Sequence, residues 1–545
     1  MNLRSLRGIT SLLTALTFAV GTSGSLWAQP PSSDFVATKT PIKHVVVLFQ
    51  ENVSFDHYFG TYPYATNPKG EPQFHAEPHT PRANNLLSGG LLDENPNSTD
   101  PFRLDRAQAW TCDQNHDYTP EQQAFDHGLM DMFPKYTGTG GTHFGTACDY
   151  GHGAGLVMGY YDGNTVTALW NWAQHYAMSD NFAGTMFGPS SVGALNLAAG
   201  TTTGLTVTGT TATKGTIANG DQTGTLIGDI DPGFDDCSTS SSHATVTDGS
   251  INIGVLLNNA GITWGWFQGG FNPTNGTTLP AFCGSYSTSP LIVATSSTGV
   301  TSLEQVTDYV SHHNPFDYYA ATANAHHLLP TGPIGTTDQA NHQYDDSVLL
   351  KAIADGNLPA VSFVKAKAIQ NAHPGNSDPV DEQTWLATVV NAIESSPYWN
   401  DTVIFITYDD SDGWYDHQMD TIVNQSDASV VPDDELGGPG SCGTTPTSGA
   451  PGRCGYGPRL PLMVISRYAK VNYIDHRMTD QSSIIRFIED NWGLPRVGGY
   501  SNDAKAGSLF GFFDFSDNAQ HAPEVIVNPS TGLVVFSKSE GGGWW

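Results

Sequence analysis

Four uninterrupted apolar segments constrain the fold of this chain more than any other feature. They are HVVVLFQ at 44–50, LPAVSFVK at 358–365, DTVIFITY at 401–408 and LPLMVIS at 460–466. Continuous runs of β-branched and aromatic residues, without polar alternation, are typical of strands buried on both faces of a parallel sheet. The four segments therefore predict buried, parallel-type strands in one central sheet.

Two helical segments accompany these strands. The stretch 381–399 lies between the second and third strands, and its apolar residues recur at helical spacing. Strand, helix and strand in this order imply a right-handed crossover in an α/β sheet. The stretch 480–494 predicts a second covering helix, with Asp480 or Ser482 as its N-cap. We predict an α/β fold with a central, mostly parallel sheet flanked by helices, in one domain over residues 40–516 with a tail at 517–545.

Two segments differ from this pattern in composition. Residues 200–250 are rich in Thr, Gly and Ser, which suits short hairpins and loops, and we expect an insertion that carries little chemistry. Residues 425–456 are rich in Gly, Pro, Ser and Asp and predict a long surface loop closed by Cys442 and Cys454.

The N-terminus is typical of a secretory signal at residues 1–28. Arg4 and Arg7 precede an apolar run at 9–20, and the small residue Ala28 follows. A retained membrane anchor is the alternative, but the run is shorter than the roughly 20 residues that a bilayer span requires. No later segment has the character of a transmembrane helix. We expect a secreted or periplasmic protein.

Six cysteines in an exported chain favour disulfide bonds. Their order along the chain suggests local pairing, although other connectivities remain open. No pair has the C-x-x-C spacing of a zinc-thiolate site. The suggested pairs are Cys112 with Cys148, Cys237 with Cys283, and Cys442 with Cys454.

The formal charge of −31 makes nucleic acid an unfavourable partner, because a strongly acidic surface repels polyanions. The same field opposes a phosphate ester. A substrate of that kind requires a local reversal of charge, for which a bound cation is the simplest source.

Polar side chains follow two of the predicted strands. Glu51 and Asn52 come after the first strand, and Asp409 and Asp410 come after the third. Ligands of open α/β sheets bind at the carboxyl ends of the strands, so these side chains predict one shared site. Close carboxylates raise one another's pKa, and a hard divalent cation relieves the repulsion. The all-oxygen ligand set favours one calcium or magnesium ion over zinc. The alternative for either pair is a helix cap or a solvated turn.

Ser190 is the candidate nucleophile. Gly188 and Pro189 predict a turn, and Ser190 then opens a helical stretch whose free backbone N–H groups suit an anion. The alternative is an ordinary N-cap serine. A hydroxyl becomes a good nucleophile only beside a base or a metal, so this role depends on the predicted cation.

Three histidines in polar loops complete the candidate site: His116, His313 and His373. An imidazole can hold a phosphoryl oxygen or protonate a leaving alcohol, although a lone histidine is more often a surface or turn residue. His417 closely follows the Asp409–Asp410 pair and is a candidate to orient it.

These motifs together resemble the bacterial phosphoesterase family, which includes phosphocholine-type phospholipases C and a secreted acid phosphatase. The stretches that carry the resemblance, between residues 40 and 515, are ENVSFDHYFG, GYYDGN, FGPSS, HHNPFDYY, AHPGNSD, TVIFITYDDSDGWYDH and DQSSIIRFIEDNWGLP. The resemblance implies an alkaline-phosphatase-superfamily core and metal-assisted phosphoryl transfer to a hydroxyl nucleophile.

The resemblance also implies a role for each candidate residue. Ser190 is the implied nucleophile, and the three histidines are phosphate and leaving-group contacts, with His312 open as an alternative to its neighbour His313. The implied metal ligands are Glu51, Asn52, Asp409 and Asp410.

Two departures bear on the branch within the family, and Val53, where many relatives carry Arg, is assigned to neither branch. The phospholipase branch typically has Thr after Gly-Pro and a DEHGGFYDH-like stretch, whereas Ser190 and DDSDGWYDH stand here. The chain ends soon after 508–516, so we expect no further C-terminal module. These features favour an acid phosphatase that hydrolyses phosphomonoesters through a phosphoserine.

Phospholipase C activity on phosphatidylcholine-type lipids is the alternative. Trp264 and Trp266 could then contact choline, although core strand positions suit them better. A binding protein that keeps the fold without catalysis is a third reading, which the presence of all candidate site residues disfavours.

Overall fold

The computed structural model describes residues 36–209, 223–238, 241–271, 283–295, 301–426, 434–436, 442, 452–516 and 518–538. The predicted signal at residues 1–28 lies outside the described residues, as do parts of the segments 200–250 and 425–456 and the end of the tail.

An eight-stranded sheet forms the centre of the molecule. We number its strands β1 to β8 along the chain. The strand order across the sheet is β4-β3-β5-β1-β6-β7-β2-β8. The strands are β1 His44–Gln50, β2 Ala177–Ser179, β3 Trp264–Gln268, β4 Gln343–Asp345, β5 Val361–Lys365, β6 Thr402–Tyr408, β7 Leu462–Ile465 and β8 Tyr473–Asp475.

The mostly parallel sheet confirms the predicted α/β architecture. The first three apolar segments form β1, β5 and β6, and β1 pairs in parallel with each of the other two. The fourth segment was wrongly predicted as parallel, because β7 runs antiparallel to both β6 and β2. All four residues of β7 are buried. A continuous apolar run indicates that both faces of a strand are buried, but it does not indicate whether the strand runs parallel or antiparallel to its neighbours.

Helices cover the two faces of this sheet. Phe405 of β6 packs edge-on against Phe487, whereas the Tyr408 hydroxyl, on the other face, donates to Glu382. The helices are α1 Phe55–Phe59, α2 Leu86–Gly89, α3 Tyr118–Phe125, α4 Phe133–Tyr136, α5 Thr167–His175, α6 Ser190–Ala199, α7 Ile253–Ala260, α8 Ser347–Ala354, α9 Pro379–Glu394 and α10 Gln481–Trp492. Phe487 belongs to α10 and Glu382 to α9, so the two predicted helices lie on opposite sides.

The ends of these two helices follow from their sequences. Asp480 is the N-cap of α10, and its side chain accepts from the backbone N–H of Ser483 in a capping box. Helix α9 ends at Glu394, earlier than predicted, and a short 3-10 turn at Pro397–Asp401 leads into β6. The strands β5 and β6 on either side of α9 do not pair with each other, because β1 lies between them.

Several smaller sheets of two or three strands lie outside the central sheet. Within the Thr-rich segment, three short strands form a separate sheet. These minor strands are Phe102–Arg103 with Gly159–Tyr160, Thr142–His143 with Thr146–Ala147, Phe182–Ala183 with Thr479–Asp480, Leu205–Gly209 with Thr223–Gly224 and Ser242–Val246, Tyr286–Thr295 with Thr301–Thr307, and Glu524–Val527 with Val534–Lys538.

The disulfide bonds agree with the pairing predicted from the order of the cysteines. The three predicted disulfide bonds are all present: Cys112–Cys148, Cys237–Cys283 and Cys442–Cys454. Among the described residues, no helix is long and apolar enough to cross a membrane.

Candidate active site

Three parallel strands end side by side and deliver the polar side chains of the site. Gln50, at the end of β1, is level with Tyr408 at the end of β6, and Leu48 is level with Val364 of β5. The residues that come next, Glu51 and Asp409, therefore meet at one edge of the sheet. Both side chains are buried. The predicted convergence of these two strand ends is what the fold produces.

Ser190 lies directly against two of the predicted carboxylates. Its hydroxyl is 3.2 Å from Glu51 Oε2 and 3.2 Å from Asp410 Oδ2, and these are its two acceptors. Ser190 is the first residue of α6, whose N-cap is Pro189. Ser190 is therefore not the N-cap of α6, and its hydroxyl donates to acidic side chains instead.

A buried glutamate holds the turn before Ser190. Glu121 accepts from the backbone N–H of Gly188 at 3.0 Å and from the Ser411 hydroxyl at 2.6 Å. Gly188 has a φ of +121°, a backbone conformation that glycine adopts without a steric cost. Glu121 thus ties the nucleophile turn to the segment that follows Asp410.

Asn52 is held by two acids of the site, and one of its side-chain atoms is left without a hydrogen-bond partner among the described residues. Its φ of +62° is left-handed, which Asn tolerates better than most residues. Its backbone N–H donates to Asp409 Oδ1 at 3.1 Å, and its side-chain amide donates to Asp412 Oδ1 at 2.8 Å. The Asn52 Oδ1 atom is buried and has no hydrogen-bond partner among the described residues. A buried acceptor in this situation suits a cation.

Sequence reasoning missed several residues of this site, among them Lys365 and Asp412. The Lys365 ammonium lies 2.5 Å from Glu51 Oε1 and 2.9 Å from Asp409 Oδ2. Asp412 is fully buried, and its Oδ1 accepts from the side-chain amide of Asn52 and lies 3.4 Å from His116 Nδ1. Asp412 stands two residues after Asp410, within the motif DDSDG, and that proximity was the signal available in the sequence.

Burial and charge act differently on the carboxyl groups. Burial raises the pKa of Asp410, and the neighbouring charges of Asp409 and Glu51 add to the effect, so that its pKa lies well above the usual value. Burial also acts on Glu51, but the charges of Lys365 and His373 outweigh it and lower its pKa. A buried carboxyl with a raised pKa needs a further cation to ionise readily.

Two of the predicted histidines touch the acids of the site. His313 Nδ1 lies 2.9 Å from Glu51 Oε1, and burial, together with the charges of His312 and Lys365, lowers its pKa well below the usual value. His116 Nδ1 lies 3.4 Å from Asp412 Oδ1. Burial opposes protonation of His116, but nearby acids, chiefly Asp410, raise its pKa well above the usual value.

His373 lies near the acids of the site. Its Nδ1 atom lies 2.7 Å from the carbonyl oxygen of Pro374, and its field lowers the pKa of Glu51 and of Asp113. The structure thus places His373 near the predicted carboxylates.

The Thr-rich segment, expected to carry little chemistry, reaches the site through two acids. Asp229 accepts from the backbone N–H of Ser191 at 2.9 Å, and its Oδ2 lies 3.8 Å from His312 Nε2. Asp231 lies 3.5 Å from His312 Nδ1. Burial would lower the pKa of His312, but these acids raise it to about 9. Composition concealed this contribution, because Thr, Gly and Ser dominate the segment and its acids have no motif that points to a site.

His417 is not beside Asp409 and Asp410. Its Nδ1 lies 2.5 Å from Asp56 Oδ2, and its Nε2 lies 3.1 Å from Asn84 Oδ1. Arg459 closes the same group, because it donates to both oxygens of Asp416. We call Asp56, Asp416, His417 and Arg459 the Arg459 cluster. His417 orients a separate buried ion-pair network.

Three groups of potential metal ligands bring their atoms within 4.8 Å of one another among the described residues. One contains Cys237, whose sulfur is in a disulfide bond, and another belongs to the Arg459 cluster. The third, Asp113–His116–Asp412, borders Ser190's site. The four predicted ligands do not form such a compact group, and Lys365 lies between Glu51 and Asp409.

The donor atoms nevertheless fit a hard divalent cation. Glu51 Oε2 and Asp410 Oδ2 face the same hydroxyl, and Asn52 Oδ1 is unpartnered. Oxygen donors of this kind suit calcium or magnesium. Asp409 is already engaged by Lys365 and by two backbone N–H groups, so its place among the ligands stays a prediction.

The chain is similar in sequence to a family of known proteins. A sequence model described as the Phosphoesterase family matches residues 42–495. The chain is 25% identical to a non-hemolytic phospholipase C of Pseudomonas aeruginosa, over 96% of this chain and 66% of that protein. It is 24% identical to a non-hemolytic phospholipase C of Burkholderia pseudomallei, over 94% of this chain and 66% of that protein. It is 24% identical to phospholipase C A of Mycobacterium tuberculosis, over 91% of this chain and 81% of that protein. The chain therefore spans 66% of the length of the first two relatives.

Proposed function

The chain belongs to the Phosphoesterase family, and from this premise we propose that it is a metal-dependent phosphoric ester hydrolase of the phospholipase C type. The observation that carries the proposal is the Ser190 hydroxyl, which lies 3.2 Å from one oxygen each of Glu51 and Asp410. The relatives named phospholipase C support a phosphodiester substrate. We also propose that the sheet edge around β1 and β6 corresponds to an alkaline-phosphatase-like core.

The chain's own residues supply the nucleophile and the proton donor for the leaving alcohol. As Ser190 Oγ attacks phosphorus, its proton passes to water, because the two carboxylate oxygens beside it, Glu51 Oε2 and Asp410 Oδ2, are the ones that would hold the cation. The new Oγ–P bond replaces the bond between phosphorus and the leaving alcohol. His116 is the candidate to protonate that alcohol, and His313, beside Glu51, can contact the phosphoryl oxygens.

A divalent cation, when held by Glu51, Asn52 and Asp410 with Asp409 beside them, would supply positive charge for the phosphoryl oxygens. Water then attacks phosphorus of the phosphoserine, the Oγ–P bond breaks, and the Ser190 hydroxyl regains a proton. The product is a phosphorylated head group if the substrate is a phosphodiester, or inorganic phosphate if it is a monoester.

Phosphomonoester hydrolysis is the second candidate. Ser190, in place of the Thr typical of the phospholipase branch, and the stretch DDSDGWYDH favour it. The two aromatic residues considered for choline do not contribute to either function, because Trp264 and Trp266 are fully buried in β3.

Turnover of three substrates tests the proposal: phosphatidylcholine vesicles, an aryl phosphocholine and an aryl phosphomonoester, each with and without a chelator. We expect chelator-sensitive hydrolysis of the two phosphodiesters that Ser190→Ala abolishes. The matched control is Ser191→Ala on the same helix, which we expect to retain turnover within about tenfold of the wild type. Exclusive turnover of the monoester would establish the phosphatase candidate, and retained turnover in Ser190→Ala would exclude Ser190 as nucleophile.

A further inference from the structure

Lys365 takes no part in the steps above, yet it lies at the centre of the carboxylates. Its side chain is fully buried, and its ammonium lies 2.5 Å from Glu51 Oε1 and 2.9 Å from Asp409 Oδ2. A lysine is almost never fully buried unless it is paired, because a desolvated ammonium needs close opposite charges. The fold therefore maintains a fixed positive charge between the ends of β1 and β6.

The two oxygens of Glu51 face different partners. Oε1 faces Lys365 and His313, whereas Oε2 accepts from Ser190. Asp410 Oδ2 also accepts from Ser190. Glu51 thus separates two parts of the site. On the Oε1 side Lys365 balances the negative charge of the carboxylates, and on the Oε2 side lies the Ser190 hydroxyl.

Asp409 belongs to the part of the site whose charge Lys365 balances. Its Oδ2 binds the ammonium, and its Oδ1 accepts the backbone N–H groups of Asn52 and Asp410. The oxygens that remain for a divalent ion are Glu51 Oε2, Asp410 Oδ2 and the unpartnered Asn52 Oδ1.

We propose that Lys365 is a built-in cation in the place of a second metal ion, so that the site binds one divalent ion beside Ser190. In two-metal hydrolases the ions lie about 3.5–4 Å apart and act together on the reacting oxygens. A cation that contacts one oxygen from each of two carboxylates is placed as such a second ion would be. The proposal goes beyond the proposed function and rests on it only for the presence of a divalent ion.

The number of bound ions tests this proposal directly. Metal-free protein is titrated with Mn²⁺, bound manganese is counted after dialysis, and electron paramagnetic resonance reports whether the ions are coupled. We expect one uncoupled Mn²⁺ per wild-type chain. We expect Lys365→Met, which removes the charge and keeps the length, to bind two Mn²⁺ with a spin-coupled spectrum.

The outcomes separate this proposal from the proposed function. Two results would contradict the role of Lys365 and leave the proposed function standing. One is two coupled ions in the wild type, and the other is a folded Lys365→Met that binds one Mn²⁺ with unchanged affinity. A wild type that binds no Mn²⁺ would also remove the metal from the proposed function.

A second variant covers the case in which Lys365→Met does not fold. Combining Lys365→Met with Asp409→Asn removes one positive and one negative charge. We expect this double variant to fold and to bind one Mn²⁺, since the carboxylate that would hold the second ion is gone. Two ions in the double variant would contradict the proposal, as would two coupled ions in the wild type.

Discussion

Two buried groups of acids in this molecule contain similar residue types but differ in how far positive charges balance their negative charges. The Arg459 cluster joins Asp56 and Asp416 to an arginine and a histidine, and Arg459 donates to both oxygens of Asp416 at 2.9 and 3.0 Å. The strand-end acids Glu51, Asp409 and Asp410 surround one lysine and the Ser190 hydroxyl.

Net charge separates the two groups, whereas each contains acids whose pKa values move in both directions. Burial raises the pKa of Asp416 to about 6, and the charges of Lys365 and His373 outweigh burial and lower the pKa of Glu51. Burial would raise the pKa of Asp56, but His417 and Arg459 outweigh it and lower the pKa. Burial raises the pKa of Asp410, and the adjacent acids raise it further.

A motif search finds acids near a base in both places. Each group also contains a buried acceptor without a partner among the described residues, Asn52 Oδ1 in one and Asp56 Oδ1 in the other. What marks the strand ends as a site is therefore the excess of negative charge around the Ser190 hydroxyl.

Asp410→Asn is the change with the largest expected effect on activity. We expect turnover to fall by about 1000-fold, because the amide loses charge at the nucleophile and the cation. The free energy of unfolding in chelator should stay equal or rise, since a buried like charge is removed. Initial rates and urea unfolding of the same preparation measure both. A large loss of stability would instead make Asp410 a structural residue like Asp416.

Arg459→Met should lower stability strongly and turnover only weakly, the reverse of what we expect for Asp410→Asn. Removal of one partner leaves Asp416 buried without its main counter-charge, and we expect a loss of about 3–5 kcal/mol in the free energy of unfolding. Turnover per folded molecule should change far less than in Asp410→Asn. Thermal unfolding and rates normalised to the folded fraction provide the comparison. A stable variant with an equally large loss of turnover would place Arg459 in the catalytic machinery.

Asp412→Asn and Asp416→Asn form a matched pair across the two regions. Asn tolerates the left-handed φ of +56° at position 412, so this change isolates the charge that faces Asn52 and His116. We expect Asp412→Asn to weaken Mn²⁺ binding by about 10- to 100-fold, as loss of a ligand-orienting partner does. Asp416→Asn should leave that affinity unchanged and lower stability. Calorimetric titration distinguishes them, and equal affinities in the two variants would contradict the distinction.

Local sequence patterns were sufficient for much of the fold and for the strand-end residues. A continuous apolar run such as HVVVLFQ predicts a buried strand, and the polar residues that follow it indicate where the strand ends. Strand direction was not encoded in the same way, which is why β7 was assigned wrongly.

Partnerships across the sheet could not be predicted from those patterns. Lys365 closes the segment LPAVSFVK, where a terminal lysine is typical of a solvated charge. Its burial depends on β5 lying beside β1, with β6 on the other side of β1. Asp229 reaches the site from an insertion whose path depends on tertiary packing. Residues of this kind become visible only when the strand order is known.

His417→Gln should have the smallest effect, and its dependence on pH tests whether the Arg459 cluster is a closed ion-pair network. Burial opposes a charge on His417, but Asp56 outweighs it and raises the pKa of His417 above the usual value. The folded state therefore binds the proton more tightly than the unfolded state. The stabilisation is complete below about pH 6.5 and is lost as pH rises through the raised pKa. We expect the variant to be less stable than the wild type by about 1–2 kcal/mol at pH 5.5, with a smaller difference at pH 9. Urea unfolding at the two pH values measures the gap. A gap that is constant or widens with pH would mean that His417 contributes through packing, and the contrast with the strand-end acids would then rest on Arg459 alone.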